Sequence, residues 1–158
     1  MKSKIELKEI DSDNWRENLH VKDEQKEYVS DLKGIEARAY AFRSFRSHAL
    51  MIYYNDTAVG AALYYDYEPY KAYDFCELFI DERYQGKGYG KQACKLIFDR
   101  MKADGKYKKV ILCYIDGNTT AEKMYLELGF TKTGEEDEDE ILMSMDLQKL
   151  YYIIILLL

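Results

Sequence analysis

Three glycines, Gly86, Gly88 and Gly90, stand at alternate positions in the segment Arg83–Gln92, between Gln85, Lys87, Tyr89 and Lys91. Glycine costs backbone order, so its repeated use needs a return. Without a Cβ, a backbone N–H can approach an anion closely, and φ can turn positive. The stretch that follows, "KQACKLIFDRMK", is helix-forming. A helix N-terminus offers unpaired N–H groups and a partial positive charge, which suit phosphate. Lys87 and Lys91 add to that charge. The natural chemistry of the segment is capture of a diphosphate.

Two familiar phosphate loops do not fit. A P-loop needs GxxxxGK followed by Ser or Thr; Gly86 and Gly90 are one residue too close, and Gln92 stands where the hydroxyl belongs. A dinucleotide fingerprint needs GxGxxG, and here the third glycine falls one residue early. A nucleotide-binding domain is therefore disfavoured.

The elements that must position the loop follow from the hydrophobic pattern. "KIELKEI" alternates and predicts a first strand. Residues 14–45 read as two or three helical pieces, with Asp13 or Asn14 as a cap and Gly34 as an interruption. "ALMIYYNDTAVGAALYYDY" is a hairpin around Asn55-Asp56-Thr57, and "AYDFCELFI" is a strand after Pro69. A helix over 88–103, a buried strand "KKVILCYI" and a short helix from Asn118 to a stop at Gly129 come next. Phe130–Gly134 and Ile141–Leu147 predict two closing strands around a solvated acidic loop, "EEDEDE". The order implies an α/β (α+β) fold: a mixed sheet with helices on its faces.

Composition narrows the function. The chain has 158 residues, enough for one domain with a real core. Its net charge of −6 argues against a nucleic-acid surface and favours a cationic partner. The stretch "YYDYEPYKAYDF" interleaves Asp66, Glu68 and Asp74 with Tyr64, Tyr65, Tyr67, Tyr70 and Tyr73. Carboxylates among aromatic rings suit a polycation, although the same pattern fits a hairpin with one solvated face. Cys76, Cys94 and Cys113 are widely spaced within apolar runs, and there are two histidines. Neither a disulfide framework nor a metal site is expected, and buried thiols are. The N-terminus lacks a secretory apolar region, so a cytoplasmic location is expected. The domain is expected over 1–147, followed by an apolar tail over 148–158. "LYYIIILLL" is too short to span a bilayer, so no membrane contact is expected. An extra strand, a homodimer contact and a read-through artefact are three readings of it.

Gln85-Gly86-Lys87-Gly88-Tyr89-Gly90 resembles the Gln/Arg-x-x-Gly-x-Gly/Ala motif of the GNAT superfamily of N-acetyltransferases. "NTTAEKMYLELGF", Asn118–Phe130, resembles the later segment of the same superfamily. The likeness covers about residues 4–147. "LFIDERYQGKGYGK" and "LHVKDEQKEYV" are similar to its bacterial spermine/spermidine (diamine) branch. The resemblance implies a largely antiparallel sheet of six to seven strands. It implies acetyl-CoA as cosubstrate, a primary amine as acceptor and no metal. It places Leu78, Phe79 and Ile80 beside the pantetheine arm, with Gln85, Gly86, Lys87, Gly88, Tyr89, Gly90 and Lys91 around the diphosphate. Asn118 and Ala121 would contact the arm, although Asn118 also fits a plain helix cap. Spacings of three and four put Asn118, Ala121 and Tyr125 on one helix face. Tyr125 would be the general acid and Glu77 the base, with Asp81 and a water chain as alternatives to Glu77. A peptide or antibiotic amine as acceptor, and a non-catalytic CoA-binding module, remain as other readings.

Overall fold

The computed structural model describes residues 4–149. The apolar tail from Leu150 onward lies outside the described residues. Seven strands form one mixed sheet in the order β1-β2-β3-β4-β5-β7-β6. They are β1 (Ile5–Glu9), β2 (His48–Tyr54), β3 (Thr57–Tyr67), β4 (Ala72–Ile80), β5 (Lys109–Ile115), β6 (Thr131–Asp137) and β7 (Glu140–Asp146). The helices are α1 (Leu32–Ala41), α2 (Tyr89–Asp104) and α3 (Thr119–Glu127). Only β4 and β5 are seen to pair in parallel; the registers of β1–β2, β2–β3, β5–β7 and β6–β7 are antiparallel. The described residues form two compact units: residues up to Tyr65 with Cys76–Ile97, and Asp66–Phe75 with residues from Phe98 onward.

In the first unit, β2 and β3 pack apolar side chains with α1. Ile35 of α1 and Met51, Ala61 and Leu63 of the hairpin are fully buried in one cluster with Phe79 of β4. The β2–β3 turn is the expected one, with Asn55 at φ 54°. Gly60 is required by packing: a Cβ there would lie 2.4 Å from the carbonyl oxygen of Phe79.

The expected helices over 14–45 reduce to α1 and two 3-10 turns, Asp23–Gln25 and Arg43–Phe45. Asn14 is not a helix cap. Its carboxamide accepts from the Asp11 N–H at 2.9 Å and donates to the Glu9 carbonyl at 3.0 Å, fastening the chain where it leaves β1. Further on, backbone groups of residues 18–20 bond to residues 81–83 rather than along a helix. Gly34 does not interrupt α1; it sits in its first turn, where the Asp31 carboxylate caps its N–H at 2.8 Å.

In the second unit, an aromatic group joins Phe75, Phe98, Tyr125 and Phe130. Gly129 ends α3 at φ 102°, as expected. The acidic run is mostly strand rather than loop. Glu135–Asp137 belong to β6 and Glu140 to β7, leaving Glu138 (φ 54°) and Asp139 as the turn. Every residue of β6 is exposed, so the carboxylates meet water even within a strand. The cysteines divide: Cys94 is buried, Cys76 half-buried, and Cys113 exposed, against expectation.

Candidate active site

The glycine loop begins where β4 ends. Asp81, the next residue, is fully buried. Its carboxylate accepts from the Arg83 N–H and Nε at 2.9 Å each, from Arg83 Nη2 at 2.8 Å, and from the His20 N–H at 2.7 Å. Burial alone would raise its pKa, but these donors outweigh it and hold the carboxyl at about 2. Asp81 is thus a carboxylate whose oxygens are already taken by four donors and whose low pKa makes it a weak proton acceptor.

A 3-10 turn, Glu82–Tyr84, carries the chain to Gln85, which is extended. The Gln85 side-chain nitrogen donates to the Ile80 carbonyl at 2.8 Å and to Gln25 Oε1 at 2.7 Å. Gln85 therefore shapes the loop with its side chain. Gly86 and Gly88 follow at φ 76° and 80°, the left-handed region that favours glycine. A Cβ on Gly86 would meet no atom within 4 Å, and one on Gly88 would meet only Gln92 at 3.7 Å. Backbone here borders open space that side chains would fill, which is the form a phosphate cradle needs. α2 starts at Tyr89, one residue later than expected, and puts Gly90 in its first turn. The first N–H groups of a helix have no acceptor within it. Lys87 is exposed beside them. The Tyr89 ring turns away and stacks on Tyr54 with centroids 4.6 Å apart, so Tyr89 can serve the cradle only through its backbone. These residues fit the diphosphate of acetyl-CoA.

Glu77 is buried on β4 and forms part of an open cleft of about 540 Å³ with Lys26, Glu27, Tyr28, Val29, Ser30, Asp31 and Gly34. Its oxygens accept from Ser30 Oγ at 2.8 Å, the Ser30 N–H at 3.1 Å and Arg38 Nη1 at 3.1 Å. Arg38 also donates to the Tyr65 hydroxyl at 3.3 Å. The cleft sets three carboxylates against Lys26 and Arg38; the Glu77 charge is met by Arg38, so Glu27 and Asp31 are its exposed acidic groups. Leu78 and Ile80 are partly exposed while Phe79 is buried in the core. Cys76 and Phe79, three apart, pack on the same cluster, so strict alternation does not carry through β4. Ser30, Arg38 and Asp31 were not singled out in the sequence. The only signal was a polar run in front of a helix.

In the second unit, Asn118 caps α3: its side-chain oxygen accepts from the Ala121 N–H at 3.2 Å. The cap reading of Asn118 is thus realised. Tyr125 is half-buried, its ring edge-on to Phe75 (6.4 Å, 86°) and Phe130 (5.7 Å, 65°).

The tyrosine–carboxylate stretch does not form a cation surface. Asp66 is buried and paired with Lys106 at 2.6 Å, and Glu68 accepts from the Tyr107 hydroxyl. Tyr64 and Tyr65 are buried, whereas Tyr67 and Tyr70 stack on each other and stay partly exposed. Lys106, absent from the local pattern, meets the charge of Asp66, and the Tyr107 hydroxyl holds Glu68 in place.

Among the described residues no helix is long and apolar enough to cross a membrane, and no group of side chains suits a metal ion. The family model for the acetyltransferase (GNAT) family matches residues 6–130. The chain therefore belongs to this family, and it is an acetyl-CoA-dependent N-acetyltransferase. It is 31% identical over 141 residues to a spermine/spermidine N(1)-acetyltransferase of Bacillus subtilis, a match covering 84% of this chain and 91% of that protein. A probable spermine N(1)-acetyltransferase of Bacillus subtilis subsp. natto is 30% identical over the same length. The fold resembles that of a Vibrio cholerae spermidine N-acetyltransferase solved with CoA and spermine. That match has a TM-score of 0.74 at 17% identity and covers 93% of this chain and 98% of the other.

Proposed function

We propose that this enzyme transfers an acetyl group from acetyl-CoA to a primary amine of a polyamine such as spermidine or spermine. The observation that carries this reading is the open acidic cleft around Glu77, in the same unit as the phosphate-ready loop. The names of the two Bacillus relatives support it.

Acetyl-CoA supplies an activated thioester carbonyl. The N–H groups at Gly86, Gly88 and Gly90 hold its diphosphate, with Lys87 and Lys91 adding charge, and the backbone of Leu78–Ile80 supports the pantetheine arm. The family resemblance assigns Ala121, next to the Asn118 cap, a contact with the arm. Glu77, fixed by Ser30 and Arg38, receives the cationic amine. Because three donors already occupy its oxygens, its role is to place the amine. The ammonium proton leaves to water in the open cleft. The amine nitrogen then bonds to the carbonyl carbon and the carbon–sulfur bond breaks. The Tyr125 phenol gives its proton to the departing sulfur, and the proton lost by the new amide nitrogen returns through water to restore the phenol.

Release of free thiol, followed with acetyl-CoA and a panel of amines, tests this. Spermidine and spermine are expected to turn over faster than lysine peptides, and added salt to raise their KM by screening. Preference for a peptide or a neutral amine would overturn the polyamine assignment.

A further inference from the structure

One side-chain amide joins the cofactor loop to the amine cleft. The Ile80 carbonyl can only accept, so the Gln85 nitrogen must face it, at 2.8 Å. The second hydrogen of that nitrogen then selects an oxygen, and Gln25 presents Oε1 at 2.7 Å. Gln25 closes the 3-10 turn Asp23–Gln25, directly before the residues 26–31 that line the cleft with Glu77. Upstream, separate bonds fasten the same segment to the loop: His20 N–H to Asp81, Glu82 N–H to the His20 carbonyl at 3.1 Å, and Arg83 to the Asn18 carbonyl at 2.8 Å. Between these anchors and α1 the backbone bonds are local turns, Lys26 N–H to the Asp23 carbonyl and Tyr28 and Val29 N–H to the Gln25 carbonyl, and Ser30 is fastened separately to Glu77, so residues 24–29 reach the loop chiefly through Gln25.

We infer that Gln25 is a positioning residue that makes the amine cleft depend on the cofactor loop through its bond to Gln85. This deepens the functional reading above and rests on it. When the diphosphate fixes Gly86 and Gly88, Gln85 is held with them, and Gln25 passes that constraint to residues 26–31. Gln25 itself does not line the cleft. Its loss weakens amine binding in the presence of cofactor and leaves cofactor binding intact.

Backbone hydrogen exchange of the full chain, with and without saturating CoA, tests the link. In the wild type, CoA is expected to slow exchange across residues 18–31. In Gln25→Leu, where Ser30 keeps its bonds to Glu77, the slowing is expected to persist over 18–22, which has its own anchors, and to be lost over 24–29. Gln25→Glu keeps an acceptor for the Gln85 nitrogen and is expected to retain it. In turnover, Gln25→Leu is expected to raise the amine KM about tenfold with kcat and CoA affinity nearly unchanged. Undiminished slowing over 24–29 in Gln25→Leu, or none in the wild type despite bound CoA, overturns the link. Failure of the wild type to bind CoA overturns the cofactor reading itself, and the link with it.

Discussion

Asp81 and Arg83, two residues apart, share three hydrogen bonds: the Arg83 N–H, Nε and Nη2 all reach the Asp81 carboxylate within 2.9 Å. A fourth, from the His20 N–H, ties the pair to the N-terminal segment. The chain just before the glycine loop is therefore built around one buried anion.

That anion gives a pH signature. Against burial, its partners lower the Asp81 pKa from 3.8 to about 2 in the folded state. A lowered folded pKa contributes stability that is present above the unfolded value, near 4, and is lost as pH falls toward 2. Asp81→Asn is expected to destabilise at neutral pH by about 1–2 kcal/mol, a figure moderated by solvent screening at the half-exposed Arg83. The difference from wild type should shrink below pH 4. Melting curves between pH 2 and 7 check this. A constant difference over that range would mean that the charge is not what Asp81 contributes.

Gly88 carries the second expectation. At φ 80° an L-residue is strained by roughly 1–2 kcal/mol. The added Cβ would project into space bordered only by Gln92. Gly88→Ala is therefore expected to lose a modest amount of stability and at least tenfold in CoA affinity, as read by calorimetry. Unchanged affinity would show that the loop does not cradle the diphosphate.

The loop was legible because its requirement is local: glycine spacing before a helix says what the backbone must do. The Asn118 cap was legible for the same reason, whereas Tyr125 was legible only as a position on that helix, its part as acid coming from the family resemblance. The amine cleft was not. Glu77 gains its meaning from Ser30 and Arg38, which are 47 and 39 residues away in the chain. Asp66 misled for the converse reason: its neighbours suggested a cation site, while Lys106, 40 residues on, had already neutralised it. The helices expected over 14–31 failed likewise, because Asn14 and His20 bond across to other segments instead of along their own.

Glu77→Gln separates placement from proton transfer. The amide keeps the shape and can still accept from Ser30, but it loses the charge that faces Arg38 and the amine. If Glu77 places the amine, KM for spermidine rises roughly tenfold to a hundredfold, the scale of one charge-assisted hydrogen bond, and kcat changes little. If instead it removes the proton, kcat falls and the basic limb of the pH profile moves. Steady-state kinetics from pH 6 to 9 distinguish the two, and the first outcome is expected.

Tyr125 bears the chemical step of the proposed mechanism. Its ring is set edge-on between Phe75 and Phe130, so the aromatic packing does not need the hydroxyl. Tyr125→Phe preserves those edge contacts and removes only the proton donor. General-acid assistance is typically worth about 10²–10⁴ in rate. A fall in kcat of that size is expected, with CoA affinity and melting temperature close to wild type. A donor that protonates the leaving sulfur matters less when the leaving group is a better one. An acetyl donor with a more acidic thiol should therefore recover much of the lost rate in Tyr125→Phe and gain little in the wild type. If the hydroxyl has only a structural part, the mutant keeps its rate and loses about 0.5–1.5 kcal/mol of stability, one neutral hydrogen bond. Kinetics with the two donors and a melting curve on this one variant decide whether Tyr125 is the acid.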